Sequence, residues 1–137
     1  MVSREILSIA LTYAVLQQTQ VLALDIINSY LQAPTSERHY IICGLEFVLE
    51  NVGKRALIVR ALYGRKAAGS DFSHHQRSCM GSLGFKSKGG DPDVWMRPAK
   101  QKYGALVHEY VLLYTDDCLV VSEIAESILK EDIGRYF

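Results

Sequence analysis

Apolar residues near the start of the chain return at helical intervals. In SREILSIALTYAVLQQ they fall at Ile6, Leu7, Ala10, Leu11, Ala14 and Val15, the spacing of one helix face. Ser3 supplies an N-cap and Glu5 an acid in the first turn. The period then changes. VLALDI is a short apolar run ending in an acid, which predicts a buried strand with a polar carboxyl end. IINSYLQA predicts a turn or short helix that Pro34 ends. HYIICG and RALIVRAL predict the arms of a hairpin, separated by the loop GLEFVLENVGK. AAGSDFSHHQRSCMGSLGF predicts a second helix, with Phe72, Cys79 and Leu83 near one face and Gly84 as its stop. DVWMRP predicts a short strand. YVLLY and CLVVSE predict strands around a tight turn at Thr115, Asp116 and Asp117, and AESILKEDIGRYF is amphipathic. This order predicts an α+β fold with helices packed on one face of an antiparallel sheet.

Composition narrows the class. A chain of 137 residues, 49% hydrophobic and 22% charged, reads as one globular domain, 1–137, and not as a disordered segment. No apolar run approaches the roughly 20 residues that span a bilayer. The start lacks a basic region followed by a small-residue cleavage site. An intracellular protein with no membrane association is expected. Cys43, Cys79 and Cys118 are odd in number and lack CxxC spacing, which points to reduced, buried thiols. The formal net charge is zero, yet residues 51–90 are unbalanced. They hold Lys54, Arg55, Arg60, Arg65, Lys66, Arg77, Lys86 and Lys88 against the single acid Asp71. That cluster suits contact with a polyanion, although each residue alone reads as solvated surface.

The adjacent acids Asp116 and Asp117 stand between two apolar runs. Asp suits turns, so a hairpin tip in solvent is one reading. The apolar arms suggest another, in which the tip lies near low-dielectric surroundings and the paired charges need a compensating cation. Hard divalent ions prefer carboxylate oxygens. Asp25, directly after an apolar strand, is the candidate third carboxylate; its alternative role is a helix or turn cap. Three converging carboxylates are what two-metal phosphoryl transfer requires. His74 and His75 beside Cys79 read as a partly exposed helix face, since neighbours at i, i+1 point apart.

At these residues the chain resembles the reverse transcriptase domain of copia-type LTR retrotransposons, nearly end to end. The resemblance rests on ALDIINSYLQAP, HYIICGLEF, RALYGRKAAGSDF, LGFKSKGGDPDVWMRP and LLYTDDCLVVSE, which stand in the family's order and approximate spacing. It implies a polymerase palm-like sheet with part of the fingers, and RNA-directed DNA polymerase activity by a two-metal mechanism in the full-length protein. It implies that Asp25, Asp116 and Asp117 are catalytic and hold two Mg²⁺ ions, with Mn²⁺ as a substitute. Ile26 and Tyr30 would meet the incoming deoxynucleotide, with Tyr30 excluding a 2′-hydroxyl. Tyr63, Gly64, Lys66 and Tyr114 would contact template or primer. The implied partners are an RNA or DNA template-primer, dNTPs, and the fingers, thumb, RNase H and integrase regions of a polyprotein.

The departures from the family pattern are specific. Arg65 stands where Leu is usual, Ala67 replaces Gln, Gly69 or Ser70 falls near the usual Arg, and Phe72 replaces Trp. Thr115 takes a place where apolar residues predominate; its β-branch fits a strand end. Residues 1–137 alone are expected not to polymerise. Two other readings stay open: a non-catalytic retrotransposon remnant, and an unrelated α+β binding domain whose Thr-Asp-Asp is a solvated turn.

Overall fold

Ser3 starts the first helix as its side chain allows: Oγ accepts the Ile6 amide at 3.3 Å, and α1 runs Arg4–Gln17. The helix stops at Gln18, which adopts φ 53° and sends its N–H back to the Ala14 and Val15 carbonyls. The computed structural model describes residues 2–87 and 89–137, so Lys88 of the basic cluster lies outside the described residues. After α1 come β1 (Gln20–Asp25), α2 (Ser29–Gln32), β2 (Pro34–Ile42), β3 (Arg55–Arg60) and α3 (Ala68–Ser82). There follow β4 (Lys86–Ser87), β5 (Val94–Lys100), β6 (Leu106–Tyr114) and β7 (Asp117–Ser122). The last helical segment begins as α4 (Ala125–Ser127), continues as a π-helical turn at Ile128–Asp132 and ends in a 3₁₀ turn at Ile133–Arg135.

The chain forms two compact units, and α3 runs across the boundary in sequence. The first is Met1–Ile27 with Gln76–Phe137. It holds an antiparallel five-stranded sheet in the order β1-β7-β6-β5-β4. Residues alternate across that sheet as its pleat requires. On one face Val111, Leu113, Cys118 and Val120 pack with Met80 of α3 and with Ala125, Ile128, Leu129 and Ile133 of the C-terminal segment. On the other, Leu112 and Val121 pack with Ala10 and Ala14 of α1. Helices therefore cover both faces, where the sequence had suggested one. The physical reason is written in YVLLY and CLVV: a strand buried on both sides is continuously apolar and does not alternate. Val111, Val120 and Val121 are fully buried, and each such side chain contributes about 1.5–3 kcal/mol relative to exposure.

A charged pair enters this core. Arg97 Nε meets Glu109 Oε2 at 2.8 Å, and the Ser122 hydroxyl donates to Glu109 Oε1 at 2.8 Å. Arg97 also donates to the Leu83 carbonyl at 2.9 Å, and its guanidinium lies 4.3 Å from the Phe85 ring centroid. Each carboxylate oxygen of Glu109 thus has a partner, which a buried carboxylate needs.

The second unit is Asn28–His75, built on the antiparallel pair β2-β3. Its register shifts between Pro34 and His39. Ala61 N donates to the Ala33 carbonyl at 3.0 Å, and Asp71 accepts the Ser36 amide at 2.9 Å. That amide bond, the largest cause, holds the Asp71 carboxyl below the usual range for an aspartate. Ala33, Ala61, Ala68 and Phe72 are buried, whereas Tyr40, Ile42 and Val59 of the hairpin are more than half exposed. Among the described residues no helix is long and apolar enough to cross a membrane.

Candidate functional site

The three aspartates all belong to the first unit, and the register of β1 against β7 decides their placement. Asp25 is the cross-strand partner of Asp117, and Leu24 of Cys118. One residue on, the Ile26 amide donates to the Asp116 carbonyl at 2.8 Å. Positions about ninety residues apart in sequence thus meet at one end of the sheet. Directly opposed residues share a face, so Asp25, Asp117 and Tyr114, which is also paired with Asp117, project from the same side. That side is the one carrying Leu119 and Val121, on which α1 packs. A cleft of about 310 Å³ opens there, lined by Arg4, Leu7, Ala23, Tyr114, Asp117 and Leu119 among others.

The electrostatics differ from a desolvated acid cluster. Asp25 and Asp117 are exposed and Asp116 is half-buried. Water already screens the outer two charges, so the remaining tension is the like-charge repulsion of opposed side chains. Among the described residues no group of three or more His, Cys, Asp or Glu side chains is arranged to hold a metal ion. A cage of three aspartates is therefore not formed. Two opposed carboxylates suit a smaller requirement. Mg²⁺ is commonly held by one or two carboxylates completed by substrate phosphates and water. Asp25 and Asp117 fit that donor set; the Asp116 backbone is engaged by Ile26, and its side chain stands in the turn.

The turn itself is unusual. Thr115 has φ 52°, a left-handed conformation that costs a β-branched residue about 1–2 kcal/mol. It is not the strand end that its β-branch suggested: β6 finishes at Tyr114. Its carbonyl accepts Gln76 Nε2 at 2.8 Å, from a side chain only 6% exposed. Sequence reading passed over Gln76. The signal was available, because Phe72, Gln76, Cys79 and Met80 form one buried helical stripe with a single amide in it. Cys118, next to the acids, is inert by contrast: burial pushes its thiol up to about 12. All three cysteines are buried, and none forms a disulfide.

The other candidates divide between the units. Ile26, in the first, is 4% exposed and its N–H is taken by Asp116, which leaves that amide unavailable to a phosphate. In the second, Tyr30 stacks on Tyr63 at 4.6 Å between centroids and leans on buried Phe72 at 5.7 Å. The Tyr63 hydroxyl lies 3.4 Å from Ser29 Oγ. Gly64 adopts φ 83°, a conformation that itself calls for glycine, with no atom within 4 Å of a added Cβ. Lys66 is exposed, and Arg65 Nε pairs with Glu37 at 3.4 Å.

Comparison with protein-family models, with characterised proteins and with solved structures gives no match for this chain.

Proposed function

We propose that the chain is a palm-type segment of an RNA-directed DNA polymerase, as its resemblance to copia-type reverse transcriptases implies. The observation that carries this reading is the register that sets Asp25 opposite Asp117 with Asp116 beside them. Hairpin pairing alone would bring Tyr114 to Asp117; only the β1-β7 pairing recruits the distant acid. Asp25 and Asp117 would hold the Mg²⁺ ion together with phosphate oxygens of a deoxynucleoside triphosphate. Bound there, the ion would polarise the phosphoryl group for attack by a primer 3′-hydroxyl. Tyr30 has a fixed ring, wedged by Tyr63 and Phe72. That rigidity supports its role as the group that rejects a ribose 2′-hydroxyl.

A second reading is favoured by the absence of a three-carboxylate group among the described residues and by the changes at Arg65, Ala67 and Phe72. In it the segment keeps the fold and has no activity of its own. The two readings separate in one pair of measurements. We expect Mn²⁺, followed by electron paramagnetic resonance, to bind the 137-residue chain and to lose about tenfold or more in affinity in Asp25→Asn and in Asp117→Asn. Binding unaltered by either substitution would remove the metal reading. Primer extension by the same chain is expected to be undetectable, since a net charge of zero provides weak grip on a nucleic-acid duplex.

A further inference from the structure

The acids are held by a turn that its own residue disfavours, and one buried side chain holds that turn. Thr115 sits at φ 52° in the two-residue connection between β6 and β7. A β-branched residue left to itself moves back to negative φ. The next carbonyl along, that of Asp116, is the acceptor through which Ile26 fastens β1 to the hairpin. Any relaxation at Thr115 therefore redirects that acceptor and loosens the place where Asp25 faces Asp117. Gln76 opposes this. Its side chain is buried on α3, and its Nε2 reaches the Thr115 carbonyl at 2.8 Å. Losing the donor removes the side-chain bond to the Thr115 carbonyl and frees the turn.

We propose that Gln76 is a positioning residue for the acidic hairpin: its hydrogen bond to the Thr115 carbonyl keeps the left-handed turn in place and so keeps Asp25 opposed to Asp117. The functional half of this statement rests on the metal-binding reading above, while the conformational half does not.

The test uses the intact chain as wild type, Gln76→Met, Thr115→Gly and the double variant. Met keeps the volume of Gln and removes the donor; Gly accepts the turn without a clamp. Native-state hydrogen exchange is read at the Ile26 amide, with Val111 and Val120 as core controls. Gln76→Met is expected to speed exchange at Ile26 about tenfold and to leave the controls within about twofold. In the Thr115→Gly background the same change is expected to move Ile26 less than about twofold. Affinity for Mn²⁺ alone should fall about tenfold in Gln76→Met and return in the double variant. Equal acceleration at Ile26, Val111 and Val120 would reduce Gln76 to a general packing residue and overturn the proposal. So would an undiminished effect in the Thr115→Gly background. Should wild type not bind Mn²⁺ while the exchange pattern holds, the clamp stands and the metal reading falls.

Discussion

Asp25 and Asp117 confront each other as like charges on directly opposed positions of neighbouring strands. Such an arrangement works against the sheet that creates it. Asp25→Asn is therefore expected to raise stability, by roughly 0.2–1 kcal/mol at low ionic strength and less at high salt. Urea denaturation at two salt concentrations checks it. Most substitutions destabilise, so a gain here marks a residue whose charge serves something other than folding. A fall in the midpoint would mean that the carboxylate has a stabilising partner. Thr115 likewise works against its own turn, at φ 52° where Gly or Asn would be at ease.

Among the elements, β5, β6 and β7 are joined through the Arg97–Glu109–Ser122 network as well as by backbone. Glu109→Ala leaves Arg97 without its nearest counter-charge inside the sheet and is expected to cost roughly 3–5 kcal/mol. Thermal and urea unfolding measure it, and a loss below about 1 kcal/mol would show that Asp132, 3.5 Å from Arg97, suffices as partner. Elements of this sort differ in how plainly the sequence announces them. α1 was legible because Ser3, Glu5 and the apolar spacing agree, and the strand at β1 and the β6-β7 hairpin because their apolar runs end in turn-forming acids. The expected burial of β1 is not met: it is an edge strand, and none of its residues is fully buried. The pairing of β1 with β7 was only a conjecture, since nothing local encodes a contact over ninety residues. The covering of the second sheet face by α1 was hidden because half of that helix's apolar residues, such as Ile9 and Val15, stay exposed. The tail was read as amphipathic, and its buried Ile128, Leu129 and Ile133 agree. The π-helical turn there was not legible, because α- and π-hydrogen bonding share the same apolar spacing over so few residues.

At the scale of the whole molecule, the two units are unequally furnished. The five-stranded sheet has apolar layers on both faces, whereas the β2-β3 pair leaves Tyr40, Ile42, Leu57 and Val59 exposed. An isolated two-stranded pair is marginal in water. Amides of β2 and β3 are expected to exchange at least about tenfold faster than those of β6 and β7, as measured by hydrogen exchange. Equal protection would imply that the two units open as one. The tight connection at Thr115 and Asp116 has a consequence of another kind. Side chains in β7 alternate between the α1 side and the side packed by α3 and the tail, so their phase is fixed by how many residues precede them. A single codon gained in that connection would put Asp117 where Cys118 now stands and thrust a carboxylate among Val111 and Ile128. The connection can thus tolerate a change of residue far more freely than a change of length.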